Sequence, residues 1–384
     1  MNEAIFQIGP IRPPSEANSL LLRVTQNCPW NRCKFCTLYK DTKFHARPVE
    51  TLKKEIDLIA KHRDLIAPYI PNIKTDIEKV RTIFNALPTQ DEMSCFQMVF
   101  RWMTEGNSQA IFLQDANTMV LKTEWLAEVI SYVMEKLPEL RRVTSYGRAN
   151  TLAKITEEDF RILAKAGLNR IHSGYETGSD RLLTMIGKGG TQEDEIIGGK
   201  KVRASGIELS IYFMPGVGGA LYSDENAIET AKVINEVNPD FVRLRTFVAK
   251  RNSPMMELIK SGEHVEMRDI DKLREIRLML AHVDPKKATG TLKSDHIINL
   301  LQHVEGNLSE DLQYMKDYID GFFKLPEMAQ RKYQMARLMG FSGQYSELEY
   351  LNAVQQNRIN EIVGHYIDAD TWEKVLHEQL HYCI

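Results

Sequence analysis

Three of the five cysteines lie within nine residues, in Cys28-Pro29-Trp30-Asn31-Arg32-Cys33-Lys34-Phe35-Cys36. Thiolates are soft ligands, and three at this spacing can converge on one metal centre. A structural zinc site usually closes with four protein ligands, and His45 is a candidate for the fourth. Iron–sulfur clusters also use thiolates, commonly four. A cluster held by only three leaves one iron open to a substrate or cosubstrate, which implies chemistry instead of bracing. The other two cysteines, Cys95 and Cys383, lack nearby thiol companions. Cys95 falls in an amphipathic helical pattern (MSCFQMVFRWM) and reads as a core thiol. An odd cysteine count without a leader sequence does not suggest a disulfide framework.

Four further polar groups follow apolar runs. Gln114-Asp115-Ala116-Asn117 offers Asp115 and Asn117, as ligand contacts or as a polar turn with Asn117 or Thr118 capping the next helix. Tyr146-Gly147-Arg148-Ala149-Asn150 offers Arg148, for a carboxylate or ribose or for bracing a loop. His172-Ser173-Gly174-Tyr175-Glu176-Thr177-Gly178-Ser179 offers Glu176, with Lys188 twelve residues on. The bland reading of that stretch is a capping Thr/Ser turn with a solvated lysine. Met214-Pro215-Gly216-Val217-Gly218-Gly219 offers Gly216, where backbone can approach a flat ring or a phosphate closely. No GxGxxG opens a helix after an early strand, and no P-loop pattern occurs.

The elements that must position these groups alternate in type. β-rich runs are Ser19–Thr25, Ala110–Leu113, Arg142–Tyr146, Arg170–Tyr175, Glu208–Met214 and Phe241–Phe247. After the first interval their starts are 32, 28, 38 and 33 residues apart, which suits one strand and one helix per unit. Thr123–Leu137 carries apolar residues at 126, 129, 130 and 133, a helical stripe. Thr156 and Asp159 resemble a capping box for 157–166, with Gly167 as the stop. Ser223 and Asp224 read as caps for a helix through Val237. Alternation of this kind predicts parallel strands joined by right-handed crossovers. The expectation is an α/β fold, a partial (β/α)6 TIM-like barrel with an all-helical C-terminal domain. Ligands bind at the C-terminal ends of strands in such sheets, where the cysteine cluster and the four turns named above fall. The predicted divisions are a strap at 1–18, a barrel at 19–263 and a helical domain at 264–384. Within the barrel, about 37–109 forms a helical insertion, with helices at Val49–Arg63 and Ile73–Ala86. Candidate C-terminal helices are 267–282, 293–303, 309–323, 326–339, 346–363 and 370–381.

The 384 residues are 43% hydrophobic and 26% charged, with a formal net charge of −3. Those values exclude a mainly disordered or collagen-like chain, and nucleic acid is not favoured as a partner. No run approaches the ~18–20 apolar residues of a membrane span. The N-terminus lacks a basic region followed by an apolar core, so the expected location is cytoplasmic.

The cysteine segment resembles the cluster-binding loop of the radical S-adenosylmethionine (radical SAM) superfamily. In that family the spacing is three residues, then two, with an aromatic before the last cysteine. Phe35 matches the aromatic, which there packs near adenine; this chain has four residues between Cys28 and Cys33. The family places a Gly-Gly-Glu-like turn, absent here, where Asp115 and Asn117 stand, to hold the methionine amino group. The turn after Glu176 resembles its Glu-Ser-Gly-Ser segment. Lys188 stands where a basic residue meets the SAM carboxylate, and Glu176 where a polar one meets ribose. Arg148 and Gly216 complete the cofactor-binding set that the resemblance implies. Cys28, Cys33 and Cys36 would hold three irons of a [4Fe–4S] cluster, and SAM would chelate the fourth. SAM cleavage to a 5′-deoxyadenosyl radical that abstracts hydrogen from substrate is the implied activity. It further implies oxygen sensitivity and an electron donor such as flavodoxin or ferredoxin. A small-molecule or peptide substrate is expected.

Thr289–Leu301 (TGTLKSDHIINLL) and the stretch Ile11–Ala17 resemble a subgroup distantly like oxygen-independent coproporphyrinogen oxidase relatives. Ser294, Asp295, His296 and Asn299 would then face the active-site mouth, or form a satisfied helix core. Two alternatives stand beside the enzyme. One is a non-catalytic iron–sulfur, SAM or haem-binding protein of the same fold; the other is a zinc-stabilised structural protein. The series Asp115, Glu176 and Lys188 discriminates, since a zinc module has no use for it.

Overall fold

The structure, a computed structural model, describes residues 5–106, 109–366 and 368–381. Strands are β1 (Leu20–Arg23), β2 (Thr25–Gln26), β3 (His45–Ala46), β4 (Ala110–Gln114), β5 (Arg142–Tyr146), β6 (Leu168–Glu176), β7 (Glu208–Phe213), β8 (Phe241–Leu244), β9 (Thr291–Lys293) and β10 (Gly306–Asn307). The helices of the first half are α1 (Val49–Ile66), α2 (Ile73–Asn85), α3 (Gln90–Thr104), α4 (Thr123–Lys136), α5 (Ala149–Leu152), α6 (Glu157–Ala166), α7 (Asp180–Met185) and α8 (Gln192–Ala204). Those of the second half are α9 (Ser223–Val237), α10 (Met255–Ser261), α11 (Asp269–His282), α12 (Leu312–Phe323), α13 (Glu327–Leu338), α14 (Ala353–His365) and α15 (Ala369–His381).

The chain divides into two compact units. The first holds residues 1–31, 38–173 and 201–209; the second holds 32–37, 174–200 and 210–384. In the first, β1, β4, β5 and most of β6 pair in parallel, with Leu21 opposite Phe112 and Ile111 opposite Val143. Every residue of β4 is buried, as both faces of a parallel sheet require. Helix α4 turns Leu126, Val129, Ile130 and Val133 inward, the stripe seen in the sequence. Thr156 and Asp159 make the expected capping box on α6, and Gly167 ends that helix at φ +121°. Helices α1, α2 and α3 fill the stretch read as an insertion, with α1 packed on α3 and α4.

In the second unit most of β7 pairs in parallel with β8, β8 pairs in parallel with β9, and β10 adds antiparallel to β9. The α/β class with parallel strands and intervening helices is therefore the one expected. Ser223 is the first residue of α9 and not its cap; its hydroxyl donates to the Glu275 carboxylate at 2.7 Å. Residues 264–384 are mainly helical but contain β9 and β10. The helix expected at 293–303 does not form. Its apolar residues Ile298, Leu300 and Leu301 are buried from a loop. Side chains satisfy that loop's carbonyls: Ser294 Oγ donates to Leu301 O, and Arg337 donates to Ile297 O and Asn299 O. Further on, Met335, Ala336, Ile359, Val363, Trp372 and Leu376 form a core of α13, α14 and α15. Cys95 is buried in α3, where burial pushes its thiol pKa well up; Cys383 lies outside the described residues. Among the described residues, no helix is long and apolar enough to cross a membrane.

Candidate functional site

The first unit holds the opening of the cysteine loop. After β2 the chain turns at Asn27 (φ +67°) and again at Asn31 (φ +47°), a left-handed conformation that asparagine tolerates well. Asn27 Nδ2 donates to Lys43 O at 2.6 Å, and the Asn31 amide side chain donates to Tyr39 O. Between them the Asn31 N–H donates to Cys28 Sγ at 3.4 Å.

Asp115 is fully buried beneath this loop. Its Oδ2 accepts from Arg23 Nε at 3.0 Å, from Arg23 Nη2 at 2.8 Å and from the Asn27 N–H at 3.2 Å. Its Oδ1 accepts from Tyr39 OH at 2.8 Å. Burial, then the Asp115 charge, push the Tyr39 pKa up and keep that phenol a donor. Asp115, expected to meet a ligand amino group, accepts hydrogen bonds from these protein donors and braces the residue before Cys28. Asn117 is likewise occupied: its Nδ2 donates to Thr151 Oγ1 at 3.0 Å and its Oδ1 accepts from the Arg148 N–H at 3.1 Å. Arg148 lays its guanidinium over Trp30, 4.8 Å from the ring centroid, a cation–π contact with the cysteine loop itself.

The second unit holds the rest of the loop. The Lys34 N–H donates to Ile186 O at 2.8 Å, and Lys34 O accepts from the Met255 N–H at 3.3 Å. Phe35 packs against the cluster of Ile186, Met214, Val217, Phe247 and their neighbours. That cluster joins the loop aromatic to the turn carrying Gly216. Gly216 has φ +85°, and its N–H donates to Glu275 Oε1 at 2.8 Å. A Cβ there would stand 3.0 Å from Lys272 Cγ, so the turn admits only glycine comfortably.

At the end of β6, Glu176 adopts φ +69°, a costly conformation for a side-chain-bearing residue. Lys188 Nζ reaches Glu176 Oε1 at 2.8 Å and lies 5.8 Å from the Phe35 ring centroid. A Cβ at Gly174 would fall 2.2 Å from Glu176 Oε1, so a larger residue there would push the carboxylate of this pair aside. Ser179 caps α7 by accepting from the Leu182 N–H at 3.2 Å, so the turn after Glu176 also ends as a helix start. Behind the pair, Glu195 is buried, with one carboxyl oxygen lacking a hydrogen-bond partner. Burial pushes its pKa well above the usual carboxylate range, while the Lys188 charge pulls it down.

The second unit thus brings together Phe35, Glu176 and Lys188, with Gly216 on an adjoining turn, whereas Asp115, Asn117 and Arg148 gather in the first. Cys28 belongs to the first unit and Cys33 and Cys36 to the second; all three are half-buried and outside any disulfide. Among the described residues, no three His, Cys, Asp or Glu side chains stand close enough to share a metal ion. Sequence reasoning missed Arg23 and Tyr39, which lie 92 and 76 residues from Asp115 and carry no local signal. It also missed Glu195, whose Gln-Glu-Asp-Glu context reads as a solvated helix start.

No family model matches the chain. A stretch of 121 residues, 31% of the chain, is 24% identical to the tRNA uridine(34) acetyltransferase of Methanocaldococcus jannaschii. That match spans 22% of the relative, so the chain covers about a fifth of its length. Among solved structures, the Methanocaldococcus infernus Elp3 lacking residues 1–46 superposes with a TM-score of 0.42 at 17% identity, covering 62% of this chain and 60% of that one. The radical S-adenosylmethionine methyltransferase TsrM from Kitasatospora setae, with cobalamin and a [4Fe–4S] cluster bound, gives 0.45 at 16% identity, covering 89% and 60%.

Proposed function

We propose that the chain is a radical SAM enzyme with the partial (β/α)6 barrel of that superfamily. Cys28, Cys33 and Cys36 bind a [4Fe–4S] cluster, and Phe35, Glu176 and Lys188 meet SAM. The observation that carries this reading is the Lys188–Glu176 ion pair beside Phe35. It sets an aromatic from the cysteine loop against two charged groups from a strand end, an arrangement without purpose in a zinc module.

The chemistry of the donor set supports this reading. Three half-exposed thiols, none in a disulfide, flank Phe35 or precede it, and a backbone N–H already points at Cys28 Sγ. Lys188 complements a carboxylate, Glu176 accepts from ribose hydroxyls, and Phe35 offers a ring to adenine. When bound, the reduced cluster supplies the electron that cleaves SAM to methionine and a 5′-deoxyadenosyl radical, which takes hydrogen from the substrate. Asp115, Asn117 and Arg148 act by position: they hold Asn27 and Trp30, and so Cys28 between them. Gly216 leaves room for backbone to approach the nucleoside. The substrate is a small molecule or peptide, and a flavodoxin or ferredoxin delivers electrons in the cytoplasm. At a net charge of −3, nucleic acid is not favoured. Thr289–Leu301 fits the subgroup related distantly to oxygen-independent coproporphyrinogen oxidase.

Metal analysis and electron paramagnetic resonance test the reading. After anaerobic reconstitution, about four irons per chain and a reduced-cluster signal that changes on adding SAM are expected. Zinc in place of iron would replace the enzyme with a structural protein. Iron without any response to SAM would leave a cluster carrier.

A further inference from the structure

We propose that Glu275 is a positioning residue for SAM: its ionised carboxylate locks the turn at 214–216, and through that turn the backbone of Glu176. The role in SAM binding rests on the reading above; the grip on the turn stands on the geometry of the second unit alone.

Gly216 lies in the left-handed region at φ +85°, and it is buried, so its N–H must find an acceptor. Glu275, 2% exposed on α11, supplies one: its Oε1 accepts from the Gly216 N–H at 2.8 Å. The same oxygen accepts from Asn226 Nδ2 at 2.7 Å, and Oε2 accepts from Ser223 Oγ at 2.7 Å. Asn226 Nδ2 also lies 3.3 Å from Met214 O, so carboxylate and amide together hold both ends of the turn. The turn's last carbonyl is held as well, because His264 Nε2 donates to Gly216 O at 3.3 Å.

From the turn the constraint reaches Glu176. The Met214 N–H donates to Glu176 O at 2.8 Å. Glu176 sits at φ +69°, which a side-chain-bearing residue keeps only where its surroundings fix it. Lys188 fixes its carboxylate, and the Met214 bond fixes its carbonyl. Glu275 therefore acts at one remove, by setting the turn on which the Glu176 backbone rests.

Three donors on two oxygens call for the ionised carboxylate, since a proton on either oxygen adds a competing donor. Burial pushes the Glu275 pKa up to about 7, against these three donors and the Lys272 charge. Lys272 is its charged neighbour on α11, whereas Ser223 and Asn226 from α9 are uncharged. Burial lowers the His264 pKa and so favours its neutral ring. Helix α12 meets α11 at Arg277, whose guanidinium is paired with Asp320 at 2.9 Å. The hold on the turn is therefore complete above about pH 7 and weakens below it.

Calorimetric titration of SAM into the anaerobically reconstituted protein tests this, in wild type, Glu275→Ala and Glu275→Gln, from about pH 6 to about pH 8.5. Iron is counted alongside. At the alkaline end Glu275→Ala is expected to bind SAM about tenfold or more weakly, at wild-type iron content, because a loosened turn must be ordered on binding. Glu275→Gln keeps an oxygen for Gly216 and Asn226 and turns its NH2 to the Ser223 hydroxyl, so it stays within about threefold of wild type. Wild-type affinity falls as the pH drops through about 7, and that fall shrinks in Glu275→Gln, which has no proton to gain there. Glu176, Lys188 and SAM itself are common to both proteins, so the difference belongs to Glu275. Undiminished SAM affinity in Glu275→Ala overturns the inference, as do parallel pH profiles in wild type and Glu275→Gln. The profiles decide alone if the alanine variant does not fold. A wild-type protein that binds no SAM sinks the reading above and this role with it. SAM bound equally well by all three proteins sinks this inference and leaves the radical reading.

Discussion

Lys188 Nζ lies 2.8 Å from Glu176 Oε1, and the two side chains are only 11% and 10% exposed. A charge desolvated to that degree depends on its partner, because removing one strands the other. The pair is thus both a structural commitment and, in the proposed enzyme, a ready set of ligands for the carboxylate and ribose of SAM.

Lys188→Ala is expected to weaken SAM binding about tenfold or more, the loss of a charge-assisted hydrogen bond, while iron content stays at the wild-type level. Calorimetric titration of SAM into the reconstituted variant reads the first, and iron analysis the second. Unchanged SAM affinity would remove Lys188 from the site.

Cys33→Ala is expected to abolish cluster assembly and leave the apoprotein's unfolding free energy within about 1 kcal/mol of wild type, since the thiol is half-exposed. Iron counting with chemical denaturation checks both halves. A variant that still binds four irons contradicts the ligand assignment.

Asp115→Ala behaves differently. It leaves Arg23, Tyr39 and the Asn27 N–H without their common acceptor, which is expected to cost about 3 kcal/mol of stability even without any cofactor. Were Asp115 instead a SAM ligand with no bracing role, SAM affinity alone would fall and the apoprotein melt would not move.

His296 gives a pH signature. Burial first, and the Arg245 charge second, lower its pKa from 6.5 to about 4. The unfolded chain takes up this proton below pH 6.5, whereas the folded chain does not until about pH 4. The contribution is therefore complete above pH 6.5 and is lost as pH falls toward 4, about 3 kcal/mol at most. His296→Asn is expected to flatten the stability profile in that window. An NMR titration that finds His296 ionising near 6.5 contradicts the burial argument.

Much of this organisation is legible in the residues. The 12-residue separation of Glu176 and Lys188, and the spacing of the β-rich runs, follow from local repeats of strand, turn and helix. The capping box at Thr156 needs only a tetrapeptide to be seen. What escapes is set by distant partners. The helix expected at 293–303 gives way to a loop because Arg337, forty residues from Ile297, satisfies carbonyls that a helix would otherwise bond internally. The bonds that Arg23 and Tyr39 donate to Asp115 come from far along the chain and leave no local signal.

The central claim is the radical chemistry, and 5′-deoxyadenosine reports it most directly. The protein is reconstituted anaerobically with iron and sulfide, then given SAM and dithionite, and the products are separated by chromatography. The account predicts 5′-deoxyadenosine and methionine in equal amounts, absent from Cys33→Ala. Intact SAM in a protein that carries the full cluster, with substrate candidates and a flavodoxin or ferredoxin reductant also supplied, would contradict it.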